Sequence, residues 1–173
     1  STSISNPTLT LSNGTSTPDT SVYTVITTNQ FGCTSSDDVT IITNPVPNAV
    51  AGPDVSYCSG QTVQLGGPSV PGYSYLWNPS AGLLGPTTSN PIATLTNTGT
   101  ANDTVQFVVT ATWFGCIDRD TVVVIIKPLP LSNAGTDQTI CSGDTVQLGT
   151  ASTAGYTYSW TPGSGLSNTS ISD

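Results

Sequence analysis

Residues 72–77 have the sequence Gly-Tyr-Ser-Tyr-Leu-Trp, and residues 155–160 repeat it as Gly-Tyr-Thr-Tyr-Ser-Trp. In the first copy an aromatic side chain recurs at every second position, which places Tyr73, Tyr75 and Trp77 on one face of a β-strand. The second copy begins 83 residues after the first, at residue 155 instead of 72. The stretch therefore predicts a half-buried strand and a tandem array of one β-domain.

Other motifs recur at the same distance. Phe31-Gly32-Cys33 returns as Phe114-Gly115-Cys116, and Cys58-Ser59-Gly60 returns as Cys141-Ser142-Gly143. Closer to the N-terminus the offset is 84, because Asn6-Pro7 matches Asn90-Pro91. One residue is therefore gained or lost between these two parts of the repeat.

Two Pro-x-Pro segments, at 45–47 and 128–130, are the natural joints of the array. Proline fixes φ and favours an extended, semi-rigid connector. We therefore expect the back half of a domain at 1–47, a complete domain at 48–130, and the front half of the next domain at 131–173. The missing halves would come from the chain that continues on each side or from a neighbouring copy.

The composition indicates an all-β protein. Charged residues make up only 7% of the chain, and the net charge is −8. Short runs rich in Thr, Val and Ile, broken by Gly, Pro and Asn, are typical of strands and turns. Nucleic acid is excluded as a partner because clustered basic residues are missing, and no run approaches the roughly 20 apolar residues of a membrane span.

The alternation of apolar residues predicts six strands that pack as a sandwich. Val63 and Leu65 share one face, as do Val105, Phe107 and Val109. The expected strands lie near residues 54–58, 62–66, 73–77, 92–96, 104–111 and 120–127.

The strand at 120–127 is apolar on both faces, which is a risk for β-association if one face meets water. One interpretation is that loops of the same domain cover the second face. The other is that a second chain covers it, with Val123 and Ile125 as inter-chain contacts. The sequence leaves both open.

The chain has few of the residues that catalysis or metal binding requires. With no His and a single Lys, a serine nucleophile has no base, so we expect no enzyme and no catalytic residues. No cofactor is expected. Asp54, Asp118 and Asp120 are weak candidates for calcium ligands, since their oxygens suit Ca²⁺ but no dense Asp-x-Asp-x-Asp loop surrounds them.

These motifs resemble a known family. Ala-Gly-x-Asp at 51–54, Cys-Ser-Gly-x-Thr-Val-x-Leu at 58–65, the strand at 72–77 and Phe-Gly-Cys at 114–116 are similar to PKD-like and Ig-like repeats. Such repeats occur in giant surface adhesins of gliding bacteria that use type IX secretion. The resemblance implies tandem β-sandwich domains and an extracellular, non-catalytic stalk or surface filament. Its partners would be other copies of the chain, and other cells or surface polysaccharide.

The four cysteines without His favour disulfides and an oxidising, extracellular location. The resemblance implies a bridge between Cys58 and Cys116 inside the domain. The alternative joins Cys58 to the equivalent of Cys116 in the following domain. Cys33 and Cys141 would pair outside these residues in both schemes.

Two further kinds of site are expected. Relatives of this group carry O-glycans on Asp-Ser/Thr-aliphatic motifs, which the resemblance extends to Thr104, Thr121 and Thr145. Trp113, beside a turn and replaced by Gln30 in the other copy, is the candidate contact for a carbohydrate or surface polymer.

Overall fold

The computed structural model describes residues 6–172, and every regular element in that range is a β-strand. The chain divides into two compact units, one ending at Pro128 and one beginning at Leu129. The strands are β1 (Asp19–Thr28), β2 (Thr34–Thr43), β3 (Val55–Cys58), β4 (Thr62–Gln64), β5 (Ser74–Asn78), β6 (Leu83–Leu84), β7 (Ile92–Thr94), β8 (Asp103–Trp113), β9 (Cys116–Lys127), β10 (Thr157–Ser159) and β11 (Ser170–Ser172).

The prediction of an all-β fold is confirmed. Seven strands of the first unit form two sheets, in the orders β3-β9-β8-β5 and β4-β7-β6, which enclose one hydrophobic core in a β-sandwich-like arrangement. All pairs are antiparallel except β3 with β9, which run parallel with Val55 opposite Val124. The first strand of the domain thus lies beside its last.

The long strands β8 and β9 follow the alternation that the sequence predicts. Phe107, Val109, Val122 and Val124 are fully buried on one face, and their neighbours along each strand are half-buried or exposed. The connecting turn needs a left-handed backbone, with φ of 46° at Phe114 and 82° at Gly115. All six strands expected in the complete domain are present, and within that domain only the short β6 was not predicted.

Trp77 is a core anchor, as its repeated position indicates. Its indole N–H donates to the carbonyl of Thr88 at 2.9 Å, so the buried polar group is satisfied. Gly66, with φ of 76°, lies against the Trp77 ring, and a Cβ there would collide with the Ser89 carbonyl. Only glycine therefore fits at this position.

The strands β1 and β2 form a hairpin that repeats β8 and β9. Asp19 pairs with Thr43 as Asp103 pairs with Ile126, so the register is the same under the offsets of 84 and 83 residues. The burial is not the same, because every residue of β1 except Ser21 is exposed. The hairpin therefore lacks the covering sheet that its counterpart has.

The second unit keeps the local contacts of the complete domain. The N–H of Gly149 donates to Ala134 at 2.9 Å, as Gly66 does to Ala51 at 2.8 Å. The segments 138–141 and 145–147, which match β3 and β4, are not strands. The strands that pair with β3 and β4 in the complete domain are β9 and β7, and no equivalents of these occur among the described residues of this unit. The boundaries expected after residues 47 and 130 stay a prediction.

Replacing Phe107 by Ala is expected to lower the free energy of unfolding by about 3–5 kcal/mol, because it opens a cavity in the core. Leu76→Ala is the matched control, since Leu76 lies on the outer face of the same sheet and is 58% exposed; its cost should be about 0.5 kcal/mol. Urea unfolding followed by circular dichroism measures both. Equal losses would contradict the assignment of the core face.

Candidate functional site

The first candidate site comprises the three acidic residues expected as weak calcium ligands. The N–H groups of Ala49 and Ala51 donate to Asp118 Oδ2 at 2.9 Å and to Asp120 Oδ2 at 2.8 Å. Asp54 Oδ1 accepts from the N–H of Val123 at 2.8 Å. Each hydrogen bond joins residues that are 69 positions apart in the sequence, as are Val55 and Val124, which pair between β3 and β9. The carboxylates therefore continue the parallel pairing of these two strands.

These hydrogen bonds therefore connect residues 49–54, at the start of the domain, to its last strand, β9. Across residues 6–172 no group of three or more His, Cys, Asp or Glu side chains is placed to hold a metal ion. One oxygen of each carboxylate accepts a hydrogen bond from a backbone N–H group. The geometry thus gives the three residues a structural use.

Trp113, the candidate ligand contact, lies outside the core and within a row of aromatic rings. Its centroid is 5.1 Å from that of Tyr73 and 4.9 Å from that of Phe114. The indole nitrogen lies over Gly72, where a Cβ would approach it to 2.9 Å. Phe114 is half exposed at the end of the row. Neighbouring rings are tilted by 44° and 36° to each other, so the row is a partly exposed aromatic patch and not a flat stack.

The cysteines do not form the bridge that the resemblance implies, and all four thiols are free. Cys58 is in register with Lys127 at one end of β9, and Cys116 begins β9 at the other end. The eleven residue steps from Cys116 to Lys127, at about 3.3 Å each, place the two cysteines about 36 Å apart along β9. A disulfide needs Cα atoms within about 7 Å, so the prediction of a Cys58–Cys116 bridge within the domain is wrong.

The alternative pairing is compatible with these positions. Cys116 lies at the end where the chain enters the domain, and its Sγ is 4.0 Å from the carbonyl oxygen of Asn44. Cys58 lies at the end where β9 leaves towards Pro128. A bridge between consecutive domains, including the expected external partners of Cys33 and Cys141, stays a prediction.

Val123 and Ile125, the candidate inter-chain contacts, lie on the outer face of the four-stranded sheet. Both are half-buried, and the side chain of Leu76 on the same face is exposed. The face is therefore apolar in part and open in part. Its contact with another chain stays a prediction.

Thr104, Thr121 and Thr145, the candidate glycosylation sites, are all exposed. The N–H groups of Thr104 and Thr121 donate to the carboxylates of the preceding Asp103 and Asp120 at 2.8 Å. The Asp-Thr motif thus makes a local turn-like contact at the start or middle of a strand. The hydroxyls stay accessible, and their glycosylation stays a prediction.

Tyr57 lies in β3, and its phenol is partly buried. Burial raises the pKa of its phenol, and the backbone of Leu95 opposes this with a smaller effect. The hydroxyl makes no hydrogen bond to any residue that the structure describes. Tyr57 is therefore protonated at neutral pH and acts through packing beside β9.

Two apolar faces that match core faces of the complete domain are open. One is the inner face of the β1–β2 hairpin. The other is a cavity of about 480 Å³ in the second unit, lined by Leu131, Ala134, Tyr158 and Trp160. The repeat indicates both faces, because Tyr23, Ala134 and Trp160 match the core residues Phe107, Ala51 and Trp77.

No protein-family model matches the chain, and no curated protein matches it. Among residues 6–172 there is no helix long and apolar enough to cross a membrane.

Reducing agent is expected to leave the melting temperature of freshly purified protein unchanged, because no bridge links Cys58 to Cys116. Cys58→Ser should change the free energy of unfolding by less than about 0.5 kcal/mol. Calorimetry with and without reductant measures this, and alkylation of the unfolded chain should modify four thiols. A loss of about 2–4 kcal/mol on reduction would contradict the observed separation.

Proposed function

We propose that the chain is a structural repeat segment of a giant extracellular surface protein, which forms an adhesive stalk or multi-chain filament for attachment, gliding or capture of other cells. The observation that carries this proposal is that the chain enters the complete domain at one end and leaves it at the other. The chain enters beside Cys116, where Asn44 Nδ2 donates to the Phe114 carbonyl at 2.9 Å, and leaves after Lys127 at the far end of β9. A domain of this kind adds length each time it is repeated.

The connectors support a stiff joint between domains. Pro45 and Pro47 are buried where the chain enters the complete domain, so this connector is packed against the sandwich. Proline restricts the backbone of the connector as well. A pulling force along the array would therefore act on a folded domain and on a packed connector in each repeat.

The chemistry of the surface supports a non-catalytic role. The chain has no His, and each of the three acidic residues weighed as ligands accepts a hydrogen bond from a backbone N–H. General acid–base catalysis needs a titratable group placed beside a substrate site. We infer a mechanical role without a cofactor.

The identity of the repeat is part of the proposal. We infer Ig-like or PKD-like domains of the kind found in adhesins exported by type IX secretion, located at the cell surface. The motifs at 51–54, 58–65 and 114–116 support this. The proposed partners are other copies of the chain through the face of Val123 and Ile125, and other cells or surface polysaccharide.

Recombinant arrays of two, four and six of the 83-residue repeats should lengthen by about 40 Å per added repeat. The increment follows from the 12 residues of β9 at about 3.3 Å each. Negative-stain imaging or small-angle scattering measures it. Globular particles whose diameter grows only with the cube root of mass would reject the stalk.

A second candidate function is a carbohydrate-binding or surface-polymer-binding module. The observation in its favour is the row of Tyr73, Trp113 and Phe114, whose outer ring is half exposed. Trp113 itself is half-buried and lies outside the core cluster.

If this second function holds, Trp113→Ala should weaken binding to a glycan on an array by at least about tenfold, through the loss of aromatic stacking. Leu84→Ala serves as the control, since Leu84 is an exposed apolar residue outside the row. If the unaltered chain binds no glycan on the array, the proposed carbohydrate-binding function is contradicted.

A further inference from the structure

Residues 49–58, called the entry segment below, run beside β9 from one end of the complete domain to the other. The N–H of Ala49 donates to Asp118 Oδ2 at 2.9 Å, near the start of β9. At the far end, the N–H of Ser59 donates to the carbonyl of Lys127 at 2.8 Å. The two stretches are parallel, and the residue steps from 49 to 58, at about 3.3 Å each, extend the contact over about 30 Å.

The chain leaves these two stretches in opposite directions. The preceding connector joins the entry segment at Ala49, beside Asp118. The following connector begins at Pro128, directly after Lys127 at the opposite end of β9. Tension along the chain therefore pulls the entry segment towards one end of the domain and β9 towards the other. The two stretches would have to slide past each other before the domain could unfold.

Sliding acts on all the lateral contacts at once. A hydrogen bond between two parallel stretches lies across the direction of pull, so no single contact can break far ahead of the others. If two strands are instead pulled apart at one end, their contacts break one after another. Unfolding under force is governed by the rate of unfolding, which falls when more contacts must be lost before the transition state.

The entry segment is held less firmly than β9. The strand β9 is central, because it also forms eleven residue pairs with β8 on its other side. The strand β3, at the end of the entry segment, is an edge strand of the same sheet. The contact between the entry segment and β9 is therefore the one that tension tests first. It includes charge-assisted hydrogen bonds, which are stronger than neutral ones, to Asp54, Asp118 and Asp120.

Two of these three carboxylates belong to the repeat. Asp54 recurs as Asp137, and Asp120 matches Asp37 in the earlier copy. Asp118 is replaced there by Ser35. The contact that the complete domain shows is thus written into more than one copy of the repeat.

We propose that the contact between the entry segment and β9 is the force-bearing element of the domain, with Asp54, Asp118 and Asp120 as its force-bearing side chains. Their hydrogen bonds resist the sliding of the two stretches, and the domain unfolds under tension only after they break. The inference deepens the proposed structural role and rests on it for its biological use. The resistance itself is a property of one complete domain.

Force spectroscopy on single molecules of the full chain tests this by pulling one domain in two directions. A background with Cys33→Ser, Cys116→Ser and Cys141→Ser leaves Cys58 as the remaining thiol. Handles on the two ends of the chain apply the sliding geometry. Handles on Cys58 and on the C-terminal end separate β3 from β9 at the end where Cys58 pairs with Lys127.

Unfolding of residues 48–128 should release roughly 250 Å of chain in either geometry, which identifies the event as that of the complete domain. At one constant force, the domain should unfold at least about tenfold more slowly when held by the chain ends than when held by Cys58. The reason is that contacts break together in the first geometry and in turn in the second. Equal rates in the two geometries would overturn the proposal.

Two variants remove single acceptors from the contact. Asp118→Ala and Asp54→Ala should each speed unfolding through the chain ends by about tenfold, the factor that corresponds to one hydrogen bond to a charged group. Asp118 lies far from the Cys58 end, so Asp118→Ala should change the rate through Cys58 by less than about twofold. Asp103→Ala is the matched control, because Asp103 accepts from the N–H of the neighbouring Thr104 within β8.

A residue that only stabilises the fold would change the rates in both geometries by the same factor. If Asp118→Ala does so, or if both variants behave under tension as Asp103→Ala does, the carboxylates do not bear force and the proposal is wrong. Should Asp118→Ala fail to fold, Asp54→Ala and the two geometries of the unaltered domain still decide. These measurements do not depend on the length of longer arrays, so failure of the force-bearing contact and failure of the stalk are distinguishable.

Discussion

The fold depends on one non-local contact, the parallel pairing of the first strand of the domain with its last. Val55 lies opposite Val124, and the carboxylates of Asp54, Asp118 and Asp120 extend the same pairing by binding backbone N–H groups. Residues 69 apart in sequence must meet for this contact to form. A chain that supplies only one of the two strands cannot bury the faces on either side of it.

The rest of the molecule illustrates that constraint. The hairpin β1–β2 has the register of β8–β9, and Asn13 Nδ2 donates to Thr43 at 2.7 Å as Asn97 Nδ2 does to Ile126 at 2.8 Å. Its apolar face is nevertheless exposed. In the second unit, residues 138–141 stay out of any strand although they match β3. Similar sequences thus take the same local form and differ in burial, because burial depends on a partner strand.

Much of the fold could be predicted from the sequence, and less of the candidate sites. The spacing of Val63 and Leu65, and of Tyr73, Tyr75 and Trp77, gave the inner faces correctly, because side chains alternate along any strand. The Cys58–Cys116 bridge was wrong because strand order and direction are not encoded in that alternation. The sequence did not predict that Asp54, Asp118 and Asp120 accept hydrogen bonds from backbone N–H groups, because the donors lie 69 positions away in the sequence.

By itself the sequence determined the repeat, the all-β class, the strand positions and the core anchors Trp77 and Phe107. Each of these follows from local alternation, turn residues and motifs that recur along the chain. Only the tertiary structure decided that β3 runs parallel to β9, and that Asp118 and Asp120 accept hydrogen bonds from backbone N–H groups 69 positions away in the sequence. The physical reason is that pairing between distant strands fixes distance and burial, and neither is a property of a short stretch of residues.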